Sequence, residues 1–116
     1  ACAQIAQLRD RYRRGLKLDD RNRVFNTEWL TAIELGFTLE IAEVLAQSAL
    51  NRKESRGAHT RLDEFKERDD ANFLKHTLAY RTGDGPARVE YAPGTITRSA
   101  PRTRVYGGEG KKAVMT

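Results

Sequence analysis

Few residues in this chain have the types that do chemistry, and their spacing decides what they can do. Cys2, His59 and His76 are the softest metal ligands present. They form no CxxC pair and no histidine pair three to five residues apart, so the pattern argues against zinc. Ser55, His59 and Asp63 supply the residue types of a hydrolytic triad, yet no nucleophile elbow surrounds the serine. The neighbouring carboxylates Asp69 and Asp70 leave the backbone on different sides, which is wrong for an acid and base facing one substrate. Gly107 to Lys112 imitates a phosphate loop weakly, because the first glycine of the full pattern falls on Val105. His76 suits a carboxylate or carbonyl partner better than a role as base. No catalytic set closes within these residues, so no catalytic, cofactor-binding or metal-binding residue is assigned.

The chemistry that is present is ionic pairing. Between Arg52 and Asp70 lie six cationic side chains and six carboxylates, interleaved and neutral in sum. A run of one sign repels itself and stays solvated, whereas alternating signs with Gly57 and Ala58 among them can pack against a surface. An ordinary polar connector is the plainer reading of the same composition.

The elements that position this stretch follow from periodicity. Ile5, Leu8 and Tyr12 recur at three- and four-residue spacing and predict a helix stopping near Gly15. No Ser, Thr, Asp or Asn precedes that pattern, so the first helix is expected to have begun further upstream. Lys17 to Val24 reads as a polar connector. Asn26 or Thr27 is a good N-cap with Glu28 in the first turn, and the pattern stays helical as far as Arg56, roughly 30 residues or about 45 Å. Trp29, Ile33, Phe37, Ile41, Val44 and Leu45 form one apolar row, and Leu35, Leu39, Ala42, Ala46 and Ala49 another. Glu40, Glu43, Gln47, Asn51 and Glu54 make a polar stripe between them. A helix apolar over most of its circumference needs neighbours on several sides, more than one short helix supplies.

Gly57 is the expected stop of that helix. Asp69 or Asp70 can cap a single turn. Alternation over Leu74 to Tyr80 and Arg88 to Tyr91, around the turn residues Thr82-Gly83-Asp84-Gly85-Pro86, predicts a β-hairpin, with a helix from Asp70 to Arg81 as the competing reading. Beyond Pro93, prolines and glycines predict an extended strap anchored by Ile96, Val105 and Tyr106 and a mobile end from Glu109. The fold class is thus mainly α: a helical-bundle domain over residues 1–56 with one long central helix, a charged connector and hairpin over 57–96, and an extended, partly disordered tail over 97–116.

Composition bounds the function. A chain of 116 residues forms one small domain at most, with 39% hydrophobic and 32% charged residues. No run approaches the roughly 18 apolar residues that span a bilayer, and the first residues lack a secretory pattern. Its single cysteine, Cys2, cannot form an internal disulfide, which suits a reducing compartment. A net charge of +5 raises the question of nucleic acid. The excess sits at the two ends, while residues 25–50 hold four acidic and no basic side chains. No aromatic-interleaved basic face emerges, so nucleic acid is not an expected partner.

The segment Lys53 to His59, followed by Arg68, Asp69, Asp70, Asn72, Phe73, Leu74 and His76-Thr77-Leu78, resembles the C-terminal region of the flavoprotein subunit of fumarate reductase and succinate dehydrogenase. Phe25-Asn26-Thr27 and Ile33-Glu34-Leu35-Gly36 look like the same subunit, and Arg104-Val105-Tyr106-Gly107-Gly108-Glu109 is most similar to the quinol:fumarate reductase branch. The related L-aspartate oxidases share Glu54-Ser55-Arg56-Gly57 but look less like the part from Arg68 to Leu78.

The resemblance implies a subunit that interconverts fumarate and succinate in respiration. It implies FAD, usually linked through a histidine, in an upstream domain, and iron–sulfur clusters in a partner subunit. The dinucleotide motif, the flavin-linking histidine and the substrate arginine of such subunits have no counterpart in residues 1–116, so the segment alone is not expected to be active. The implied partners are the upstream flavin and capping domains, the iron–sulfur subunit and, indirectly, a membrane anchor. The implied location is the cytoplasmic side of the inner membrane, peripheral through those partners. Glu54, Arg56, His59, Arg61, Asp63, Arg68, Asp69 and Asp70 are then candidates for interdomain or subunit contacts, because arginine–carboxylate pairs confer geometric specificity. The competing assignment is that they staple the domain to itself. Two other function classes stand beside this one: a self-contained helical protein-interaction module, and nucleic-acid binding by the basic ends. The exposed long helix also predicts self-association of the isolated segment.

Overall fold

The computed structural model describes residues 1–83 and 85–102. Five elements follow in order: α1 (Cys2–Arg14), α2 (Thr27–Asn51), α3 (Asp70–Phe73), β1 (Lys75–Tyr80) and β2 (Arg88–Pro93). The two strands pair antiparallel, with Lys75 opposite Pro93 and Tyr80 opposite Arg88. The chain is therefore helical with a two-stranded hairpin, and the Asp70–Arg81 helix does not form: only its first turn, α3, is helical. Residues 103–116, including Val105, Tyr106 and the segment from Glu109, and also Asp84, lie outside the described residues.

Helix α1 has no side-chain N-cap and ends at Gly15, whose amide donates to the Tyr12 carbonyl. Helix α2 starts where Asn26 accepts the Trp29 amide at 2.8 Å while its own amide group donates to the carbonyls of Asp20 and Asn22. Glu28 does more than oppose the helix dipole. Its carboxylate accepts the backbone amides of Asp19 and Asp20 at 2.7–3.2 Å, which folds the connector back onto the first turn of α2.

The two helices pack through a small-residue contact. A Cβ added at Gly36 would lie 2.6 Å from the Tyr12 hydroxyl, so the absent side chain lets the phenol end of Tyr12 approach α2 this closely. Leu39 is the one buried hydrophobic residue among those described, and Arg9 pairs with Glu43 beside it. Glu40 reaches Arg81 of the hairpin at 3.3 Å. Within the polar stripe Glu43 thus meets α1 and Glu40 the hairpin, while Asn51 donates back to the Gln47 carbonyl; α2 ends at Asn51, five residues before Arg56, so Glu54 is not on the helix.

Candidate functional site

Helix α2 stops early because its C-terminal carbonyls find side-chain donors from farther along the chain. Arg61 Nη1 donates to the carbonyls of Ala49 and Leu50 at 3.1 and 3.0 Å, and Arg52 takes up an extended backbone. The chain then turns sharply. Arg56 and His59 exchange both backbone hydrogen bonds, 2.9 and 3.0 Å, around Gly57, which sits at φ 60. Gly57 therefore serves this tight turn rather than the helix end, since positive φ costs glycine little and is uncommon for other residues.

Glu54 lies at the centre, with no solvent-exposed side-chain surface. A buried carboxylate is costly unless its charge is met and its lone pairs are filled. Here both conditions hold. Arg52 Nη1 donates at 2.6 Å, Arg56 Nε and Nη2 at 2.7 and 2.9 Å, and the Asp69 amide at 2.9 Å. Burial alone would raise the Glu54 pKa; the hydrogen bonds from Arg56, Asp69 and Arg52 outweigh it and hold the group below its ordinary value. The bonds from Arg56 to Glu54 and to Asp70 raise Arg56 in turn.

The network continues outward. Arg56 Nη2 reaches Asp70 at 2.5 Å, and Arg68 grips the same carboxylate with Nε and Nη2, both at 2.7 Å. Hydrogen bonds from Arg68 and Arg56 lower the Asp70 pKa to about 2, and Asp70 raises Arg68 in return. Asp69 caps α3, accepting the Asn72 amide at 3.0 Å and the Asn72 side chain at 2.8 Å, which depresses its pKa. A separate pair joins Arg61 to Asp63, lowering the acid and raising the base. Arg61 also lies 5.4 Å from the Phe65 ring centre, with Lys53 at 5.7 Å.

The eight residues singled out from sequence thus fall into two groups. Glu54, Arg56, Arg68, Asp69 and Asp70 form one connected cluster. Arg61 and Asp63 form a second pair, and His59 contributes its backbone, with its ring Nε2 3.5 Å from the Arg52 carbonyl. Ser55 is held by the backbone around it: its Oγ donates to the Phe65 carbonyl and accepts the Arg61 amide. Among the described residues no group of three His, Cys, Asp or Glu side chains is placed to hold a metal ion.

Arg52 is the residue that sequence reasoning passed over. Beyond Glu54 it donates to the Phe73 carbonyl at 2.9 Å, the Lys75 carbonyl at 3.0 Å and Thr77 Oγ1 at 2.8 Å. Its guanidinium lies 5.7 and 5.8 Å from the ring centres of Phe73 and Tyr91, which meet edge to face. One side chain thereby ties the end of α2 to α3 and both strands. The only available signal was a cation near the end of a long helix, and nothing in the sequence pointed it toward Phe73 or Tyr91.

Pairing of this density positions backbone and side chains; it offers no free nucleophile, base or open ligand set among these residues. Over residues 1–106 the sequence matches the family described as "Fumarate reductase flavoprotein C-term". The fumarate reductase flavoprotein subunit of Haemophilus influenzae is 51% identical over 111 residues, covering 96% of this chain and 18% of that protein. The Escherichia coli subunit is 54% identical over 111 residues, covering 95% and 18%. A solved structure of E. coli quinol fumarate reductase superposes with a TM-score of 0.83 at 54% identity, covering 92% of this chain and 18% of the matched chain. The chain thus spans less than a fifth of the length of these relatives. With sequence and fold in agreement, the chain belongs to the family of fumarate reductase flavoprotein C-terminal domains.

Proposed function

We propose that this chain is the C-terminal, non-catalytic portion of a flavoprotein subunit that interconverts fumarate and succinate. In this reading it supports docking of the flavin domain and the iron–sulfur subunit. The observation that carries it is the match over residues 1–106 to one end of a much longer flavoprotein, at about half identity.

FAD does not fit among the described residues. Their only sheet is a two-stranded antiparallel hairpin, with no strand–turn–helix unit to cradle a pyrophosphate. The cofactor and the chemistry belong upstream, and the iron–sulfur clusters to a partner subunit. Through that partner and a membrane anchor the subunit sits peripherally on the cytoplasmic face of the membrane. No described helix is long and apolar enough to cross a bilayer.

The docking surface in this reading is the outer side of the charged turn. Glu54, Arg56 and the Asp69 amide hold its shape from within, and His59, Arg61, Asp63, Arg68 and Asp70 border the contact. Asp70 and Asp63 keep 44% and 39% of their side-chain surface exposed, so both have room for a second partner. Arg68→Ala and Asp63→Ala in the full-length subunit test this role. Both variants are expected to lose co-purifying iron–sulfur subunit or bound flavin while the subunit stays folded. Full assembly and flavin content in both would refute it.

A further inference from the structure

One large apolar side chain of the charged turn stands almost free. Leu62 keeps 89% of its surface exposed, yet the backbone on both sides of it is fixed. The Ser55 hydroxyl clasps the turn, accepting the Arg61 amide at 2.9 Å and donating to the Phe65 carbonyl at 3.1 Å. The Phe65 amide donates to Asp63 Oδ1 at 3.3 Å, and the Arg61 guanidinium ties the turn to the last carbonyls of α2. A lone exposed leucine is ordinary on a protein surface. One carried between the ends of a clasped turn is not, because little chain entropy remains to be lost when a partner buries it. The charges around it are sorted by depth. Arg61 and Arg68 are largely covered and spend their donors inside the network. Asp63, Glu64, Glu67 and Asp70 are exposed beside a single exposed cation, Lys66. Neither Glu64 nor Glu67 makes an ion pair among the described residues. The segment is neutral in sum, but its outer face is a leucine set among carboxylates.

Resting on the docking role proposed above, we propose that Leu62 anchors the contact with the separate iron–sulfur subunit, seated in an apolar socket whose rim carries lysine or arginine. Charge complementarity selects the basic rim. It also selects a separate chain over the upstream domains of the same subunit. Exposed charges act at long range, chiefly on the rate and selectivity of encounter. Two chains that must find one another gain from that steering. A tethered domain, already at high effective concentration, gains little.

The test uses the full-length subunit co-purified with its iron–sulfur partner and exchanged against a fluorophore-labelled copy of the same subunit, which reads the dissociation rate. Leu62→Ala should exchange about tenfold faster, the part of a leucine's burial that alanine forfeits. Glu64→Lys combined with Glu67→Lys should slow reassembly of the separated subunits about tenfold at about 50 mM salt and little at about 500 mM. An unchanged exchange rate for Leu62→Ala, or low-salt reassembly that ignores the charge reversal, would overturn the proposal. So would a Leu62→Ala subunit that loses flavin yet exchanges normally, because the socket would then lie in the flavin domain. The two readings fail differently. An unsubstituted subunit that captures no partner refutes the docking role itself, whereas a stable complex indifferent to Leu62 refutes this inference alone.

Discussion

Glu54→Ala removes the carboxylate on which the charged turn converges. Four hydrogen bonds disappear, two guanidinium groups lose their shared counter-charge, and the Asp69 amide loses its acceptor. Removing one member of a buried pair costs about 3–5 kcal/mol, much of it the burden of the charge left behind. The lower end applies here. Arg52 and Arg56 retain 15% and 25% of their side-chain exposure, Arg52 keeps three other acceptors, and Arg56 keeps Asp70. The expected loss is therefore about 3 kcal/mol. Glu54→Gln, which keeps one acceptor oxygen but turns an amide toward the donors, should lose about half as much. Native-state hydrogen exchange in the full-length subunit reads this directly at the amides of Arg56, His59 and Asp69. A loss of about 3 kcal/mol accelerates their exchange roughly a hundredfold. A change below about 0.5 kcal/mol, typical of surface positions, would refute the claim that this carboxylate organises the turn.

Gly36→Ala should destabilise by about 1 kcal/mol in urea unfolding, because the clash with Tyr12 exceeds the helix-propensity gain. In a Tyr12→Leu background the same change should become neutral or favourable, and unchanged stability in the Tyr12 protein would sink the packing argument. Tyr91→Phe should be neutral or more stable by up to about 1 kcal/mol, since the buried hydroxyl has no hydrogen-bond partner among the described residues; a clear loss in a thermal melt would reveal a partner. The Asp70 pKa is depressed on folding, so its contribution is complete above the unfolded value of about 3.9 and is lost as pH falls through about 2. Asp70→Asn should flatten the acid limb of a stability–pH curve in that window, and an unchanged limb would contradict the assignment.

Local features were legible in the sequence because their causes are local. The Asn26 cap, the Gly15 stop, the Asp69 cap and the strand alternation each depend on residues within a few positions of one another. The end of α2 was not, because it depends on Arg61 returning to the carbonyls of Ala49 and Leu50. With that donor unforeseen, Gly57 looked like the stop and Glu54 like one more residue of a helical stripe. The charged stretch was recognisable as a paired network from its alternating signs. Which charge met which was not, since the central contacts join Arg52 to residues 73–77 and Glu54 to Asp69. Arg52 was overlooked for the same reason: its partners are brought to it by the hairpin, and no spacing in the sequence encodes that meeting.

The central claim is that these residues are the end of a longer flavoprotein. A denaturing gel of the source cells, viewed for flavin fluorescence and then probed with an antibody to this chain, tests it most directly. The account predicts one fluorescent, immunoreactive band several times larger than 13.1 kDa. A sole, non-fluorescent immunoreactive band at 13.1 kDa would contradict it and leave an independent interaction module in its place.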